Sequence, residues 1–225
     1  MIMRANGRLR VAVPKGSLFA GSLDVLGGAG LDIGPLRDLG RHLIVSTNDV
    51  DYYIVRPTDV PTFVANGGAD CAICGKDTLL ESDLPVVELV DLAFGGCRFV
   101  VAEPAGASGA IEARYRHVGV LRVATKYPRI TAAYYDSIGV QADIVKLHGN
   151  VELAALVGLA DRIVDITATG TTLRENDLVV VDDVLDSTAR FVANPASLRT
   201  DPRVSELAAS LEEYVGLRPG KDGIG

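Results

Sequence analysis

Positive charge is in deficit: 22 lysines and arginines stand against 29 aspartates and glutamates in 225 residues, a net charge of −7. A protein that coats nucleic acid needs the opposite balance over a continuous face, so that class is excluded and any phosphate ligand must meet a local cationic site. Long apolar runs are missing too. Nothing reaches the roughly 18 residues a membrane-spanning helix requires, and "MIMRANGRLRVAV" has no apolar core of about 7 to 15 residues such as a secretory signal carries. The expectation is a cytoplasmic protein with no membrane partner. Cysteine is scarce, three in all. Cys71 and Cys74 form a C-x-x-C, but no second Cys pair and no H-x-x-H completes a metal site. In "ADCAICG", read as a strand, a spacing of three points the thiols to opposite faces, which favours buried core thiols over redox chemistry. No low-complexity tract or internal repeat occurs, and the length suits one large domain or two small lobes.

What is present is an alternation of short β-branched runs with amphipathic helical segments, the pattern of an α/β protein with largely parallel sheets. The strand runs are "LRVAV", "HLIVS", "YYIVR", "CAICG", "VVELV", "RFVVA", "LRVAT", "ADIVKL", "RIVDI", "LVVVDDV" and "ARFVAN". Helices are expected over Leu18–Leu26, Thr58–Ala65, Arg129–Ser137, Val151–Leu156 and Arg203–Val215, with Pro57, Pro128 and Pro202 near helix starts, where a missing N–H is harmless. So many strands exceed one small sheet, so two lobes are expected. The chain should cross at "LAFGGCR", where Gly95 and Gly96 free the backbone, and return between Asn176 and Val181. The expected division is residues 1–95 plus 181–225 as a discontinuous first lobe and 96–180 as the second, with a cleft between them.

Three stretches carry chemistry. In "VDITATGTTL", Val164 to Leu173, a strand ends in one carboxylate and then four threonines around Gly170, so that backbone N–H groups and hydroxyls converge as an oxyanion receptor. The rival reading is a threonine-rich turn that caps a helix. No lysine lies in the loop, so it is not a P-loop, and it suits a phosphomonoester. Asp165 stands where a carboxylate could accept from sugar hydroxyls. In "VAVPKGSLF", Lys15 and Gly16 follow the first strand directly, the ligand end of an open α/β sheet. Arg41 and Arg56 add cations at strand borders of the same lobe, suited to phosphate unless each is a solvated surface charge. In "LVVVDDVLDSTA" the pair Asp182-Asp183 is similar to the phosphoribosyl-pyrophosphate motif of ordinary phosphoribosyltransferases, but Thr188 replaces a small residue there, and a structural strand pair is the preferred reading. No Ser-His-Asp or Cys-His arrangement stands out, since His42, His117 and His148 are scattered.

Taken in order, "PKGSL", "RPTDVPTFVANGGADCAICGKDTLLE", "LAFGGCR", "VATKYP", "HGNVELAALVGLADRIVDITATGTTL" and "STARFVAN" resemble the ATP phosphoribosyltransferase family over nearly the whole chain. The resemblance implies a two-lobed fold of the type II periplasmic-binding-protein kind and transfer of the phosphoribosyl group of phosphoribosyl pyrophosphate to N1 of ATP, the first step of histidine biosynthesis. Residue by residue, it implies that Thr167, Ala168, Thr169, Gly170, Thr171 and Thr172 hold the 5-phosphate and that Glu152 and Asp165 hold ribose hydroxyls. Lys15, Arg41 and Arg56 would neutralise pyrophosphate and triphosphate, while Gly16, Ser17, Asp70 and Gly75 would border ATP. Ser17 departs from a frequent family arginine. Mg²⁺ would bridge substrate oxygens with no dedicated protein cage. The chain resembles the short form, without a C-terminal regulatory domain, which implies a histidyl-tRNA-synthetase-like regulatory subunit and a homodimer within a hetero-oligomer. The rival class is a two-lobed small-molecule binding or sensor protein without catalysis.

Overall fold

The computed structural model describes residues 7–167 and 170–218. The first segment runs β1 (Leu9–Pro14), α1 (Phe19–Gly28), β2 (Ile44–Ser46), β3 (Val50–Val55), α2 (Val60–Ala65), β4 (Cys71–Gly75), α3 (Lys76–Ser82) and β5 (Val87–Asp91). The middle segment runs β6 (Cys97–Pro104), α4 (Ser108–Val118), β7 (Leu121–Thr125), α5 (Pro128–Ser137), β8 (Ala142–Lys146), α6 (Val151–Leu156), β9 (Arg162–Thr167), α7 (Thr171–Glu175) and β10 (Leu178–Ser187). The last adds β11 (Ala189–Ala193), α8 (Pro195–Thr200) and α9 (Pro202–Gly216). Two compact units result: one combines the described residues up to Gly96 with those from Thr188 onward, and the other is Cys97–Ser187.

In the first unit a six-stranded sheet has the order β2-β3-β1-β4-β11-β5. β1 pairs in parallel with β3 and β4, whereas β11 is antiparallel to both β4 and β5. Every residue of β4 is buried, as expected of a central strand covered on both faces, and so it reads as an unbroken apolar run rather than an alternation. Its side chains divide between the two faces. Cys71 joins the cluster of Val11, Val25, Leu26, Phe191 and Leu211, and Cys74 joins that of Val55, Val60, Val64 and Val192. Burial pushes both thiols well above the ordinary cysteine range. α9 presents Val204, Leu207 and Leu211, spaced as one helical face, to this core. Asp201 begins the helix by accepting the Arg203 N–H. Where α9 meets α1, a Cβ on Gly28 would fall 2.2 Å from the Tyr214 ring, so only glycine permits that approach.

The second unit holds a five-stranded sheet, β10-β6-β9-β7-β8. β7 is parallel to β8 and β9; β6 is antiparallel to β9 and β10. Its one fully buried acid, Glu103, is neutralised inside the core by Arg162 Nε at 2.8 Å and also accepts from the Ser108 hydroxyl.

The chain returns to the first unit after Ser187, not between Asn176 and Val181. Two register shifts, at Val180/Asp182 and Asp183/Leu185, let β10 continue along β6 through the acidic pair instead of ending there. Asp182 and Asp183 are therefore mid-strand residues on an exposed edge, engaged by Tyr134 and Arg98 respectively. Four helices escaped the sequence reading or were left conditional there: α3, α4, α7 and α8. Among the described residues no helix is long and apolar enough to cross a membrane.

Candidate active site

In the second unit β7 and β9 run parallel with Thr125 opposite Val164, so the chain beyond β7 and the end of β9 emerge at the same edge. Asp165 lies there, 7% exposed. Its Oδ1 accepts the Ile166 N–H at 2.8 Å, and its Oδ2 faces Lys126 Nζ at 3.3 Å. Burial raises the pKa of this carboxyl; the Ile166 N–H and the Lys126 ammonium oppose the rise, nearby Glu152 adds to it, and the net direction is upward. Glu152 is in the first turn of α6, behind Asn150, whose left-handed φ of 47° turns the chain into that helix.

The threonine stretch is an ordered turn at its described ends. Thr167, nearly buried, accepts the Gly170 N–H on its Oγ1 at 2.7 Å. Gly170 has φ 69° and begins α7, so its backbone is in the region that side chains resist. Thr171 and Thr172 are exposed, and Arg174 Nη2 donates to Thr171 Oγ1 at 3.2 Å. Ala168 and Thr169, the centre of the proposed cradle, lie outside the described residues. Glu152, Asp165, Thr167 and Gly170 thus share one edge, with two cations, Lys126 and Arg174, that the sequence reading had not assigned. Lys126 stands in the quoted "VATKYP"; its carboxylate partner lies 39 residues away, so only strand pairing reveals the contact.

In the first unit Lys15 and Arg56 follow the ends of neighbouring parallel strands, and the Lys15 N–H donates to the Val55 carbonyl at 2.9 Å. Both side chains line a cavity of about 670 Å³ with Leu43, Ile44, Tyr53 and Phe63. Gly16, at φ 81°, opens a 3-10 turn over Gly16–Leu18 that leaves Ser17 exposed. Gly75 ends β4 at this same side of the sheet and forms the N-cap of α3. Arg41 is exposed in the turn before β2 and is not among the residues lining the cavity.

Asp70, expected beside ATP, stands elsewhere. It precedes β4, opposite the start of β1, so it lies at the far end of the sheet from Lys15 and Gly75. It is 1% exposed. Its carboxylate accepts from Arg10 through N (3.0 Å), Nε (3.0 Å) and Nη2 (2.8 Å), and from Ser197 Oγ at 2.7 Å. That is a structural ion pair joining β1, β4 and α8, and it leaves Asp70 no face toward a purine.

Both sheets meet known proteins. The family model described as HisG: ATP phosphoribosyltransferase matches residues 56–213. An ATP phosphoribosyltransferase of Rubrobacter xylanophilus is 51% identical over 85% of this chain and 88% of its own length. ATP phosphoribosyltransferase 2 of Geobacter sulfurreducens is 44% identical over 92% of this chain and 98% of its own. Among solved structures, the ATP phosphoribosyl transferase (HisG:HisZ) complex from Thermotoga maritima contains a chain with a TM-score of 0.77 at 34% identity, covering 93% of this chain and all of that one. The Bordetella pertussis BvgS VFT2 domain, at 12% identity and a TM-score of 0.55 over 95% of this chain and 88% of that one, shares the fold alone. The fold is thus of the type II periplasmic-binding-protein kind, and the chain belongs to the ATP phosphoribosyltransferase family.

Proposed function

We propose that this chain transfers the phosphoribosyl group of phosphoribosyl pyrophosphate to N1 of ATP, the first step of histidine biosynthesis. The observation that carries the reading is the buried Asp165 near the end of β9, followed by Thr167, whose Oγ1 accepts the Gly170 N–H, and by the exposed Thr171 and Thr172 at the start of α7. Thr167 to Thr172, with Ala168 and Thr169 at the centre, receive the 5-phosphate; Glu152 and Asp165 accept from the ribose hydroxyls. Lys15 and Arg56, with Arg41, act on pyrophosphate and triphosphate oxygens, and Gly16, Ser17 and Gly75 border ATP.

The reaction asks for no covalent enzyme nucleophile. The N1 lone pair of adenine bonds to C1 of the ribose as the C1–O bond breaks, its electron pair leaves on pyrophosphate, and the adenine sheds a proton from its 6-amino group. The protein's part is to orient two polyanions and to stabilise the charge that grows on the leaving group. A cation about 4 Å from a phosphate oxygen contributes on the order of 4 kcal/mol at an effective dielectric of 20, enough to matter for two mutually repelling ligands. Mg²⁺ arrives as part of the substrate, on its pyrophosphate oxygens. Among the described residues no three His, Cys, Asp or Glu side chains converge as a cage.

The chain of the Thermotoga maritima complex assembles with HisZ. The same arrangement is proposed here: a homodimer within a cytoplasmic hetero-oligomer that contains a histidyl-tRNA-synthetase-like regulatory subunit. Incubation with ATP, phosphoribosyl pyrophosphate and Mg²⁺, with and without that subunit, should release pyrophosphate and yield ATP carrying one phosphoribosyl group by mass spectrometry. Binding of either substrate without turnover under both conditions would instead make the protein a binder.

A further inference from the structure

Lys126 has no part in the roles above, yet its position is specific. It is the first residue beyond β7, and the pairing of Thr125 with Val164 brings it level with Asp165 on β9. Its Nζ stands 3.3 Å from Asp165 Oδ2, while Oδ1 is occupied by the Ile166 N–H. On the other side of β9 the register partner of Asp165 is Val100, which is uncharged. The charges acting on this carboxylate are thus Lys126 from the end of β7 and Glu152 from α6, of opposite sign and opposite effect. Burial favours the neutral acid, and a neutral acid would give up an acceptor site and turn an O–H donor toward the sugar.

We propose that Lys126 is a positioning residue whose ion pair with Asp165 holds that carboxylate in its acceptor form for the ribose hydroxyls of phosphoribosyl pyrophosphate. The inference rests on the sugar-phosphate reading of this edge. A bound ligand brings several negative charges close to Asp165 and Glu152, and Lys126 is the counter-charge that the fold already places against the more buried of the two. A methionine in its place keeps most of the stem and removes the charge; an arginine keeps the charge.

The test is calorimetric titration of phosphoribosyl pyrophosphate, without ATP, into wild type, Lys126→Met, Lys126→Arg and Asp165→Asn between about pH 6 and pH 8.5. Each affinity is divided by the wild-type value at the same pH, so that titration of the ligand cancels. Removing the ammonium leaves burial and Glu152 to favour the neutral acid, so the affinity of Lys126→Met relative to wild type should fall as the pH is lowered from 8.5 to 6. Lys126→Arg should stay within about threefold throughout. In the Asp165→Asn background, Lys126→Met should add little. A Lys126→Met loss of equal size at every pH would make the ammonium a direct phosphate contact and overturn the proposal, as would no loss at any pH. Failure of wild type to bind the ligand would overturn the sugar-phosphate reading itself, and this inference with it; binding by wild type with a pH-independent ratio overturns the inference alone.

Discussion

Replacing Asp70 with asparagine separates a structural acid from a ligand-binding one. The carboxylate accepts three hydrogen bonds from Arg10 and one from Ser197, and Arg10 further donates to the carbonyls of Gly67 and Gly68 at 2.8 and 3.1 Å. Asparagine fits the space but turns an NH₂ toward a guanidinium, so charge-assisted bonds worth about 1.5 to 3 kcal/mol each are lost or inverted. The Arg10 side chain is 26% exposed and can recover some solvation. A net loss of roughly 2 to 4 kcal/mol follows, at the lower end of what breaking a buried pair costs. For a chain of this size that lowers the melting temperature by roughly 5 to 15 °C. The guanidinium and the hydrogen bonds hold the Asp70 carboxyl below the usual carboxylate range despite its burial. A lowered folded-state value stabilises above the unfolded value of about 4 and is lost as pH falls through the folded one, so the gap between wild type and variant should narrow below about pH 4. Urea and thermal unfolding read the stability, and pyrophosphate release reads the KM for ATP, expected to stay within about twofold. An unchanged melting temperature together with a KM raised tenfold or more would refute the reasoning and return Asp70 to the nucleotide.

Gly170→Val should weaken calorimetric binding of phosphoribosyl pyrophosphate by on the order of tenfold, because φ 69° costs a branched residue about 1 to 2 kcal/mol; unchanged binding would mean that the loop is not the cradle. Arg56→Ala should lower kcat by on the order of 10² while changing KM less, if the cation acts on the leaving pyrophosphate. Steady-state kinetics with an unchanged kcat would assign Arg56 to ground-state binding. Cys71 and Cys74 should resist alkylation in native buffer near neutral pH and react only on unfolding, since burial disfavours both thiolates; rapid native labelling followed by mass spectrometry would contradict the packing described.

All eleven strands were legible as short apolar or β-branched runs; for a central strand such as β4 the reason is burial on both faces, which asks for apolar residues at nearly every position. Helices that bury little were not. α4, "SGAIEARYRHV", sets only Ile111 in the core, and α3 buries none of its residues, so neither shows a helical stripe. The end of β10 was missed for another reason: "LVVVDDV" stops at Val184, whereas two register shifts let the strand run on along β6 to Ser187. Among the candidate site residues, Lys15, Arg56, Asp165 and Thr167 were expected at or near strand ends and are found there; Gly75 came only with the family resemblance. Asp70 and Lys126 could not be read this way, because their meaning lies in partners 60 and 39 residues away.

The position of β11 in its sheet carries a consequence for biogenesis. β5 has β11 as its sheet neighbour and β4 needs β11 on one side, so the first-made strands wait for the last-made strand of the described residues. On the ribosome the central unit, whose strands are contiguous in the chain, can close while the amino-terminal half is still an open mixed sheet with an unpaired apolar edge at β4. Such long-range pairing is slow and exposed to misassociation until translation passes Ala193. A message truncated just short of that point would leave a polypeptide with its middle finished and its beginning unfinished.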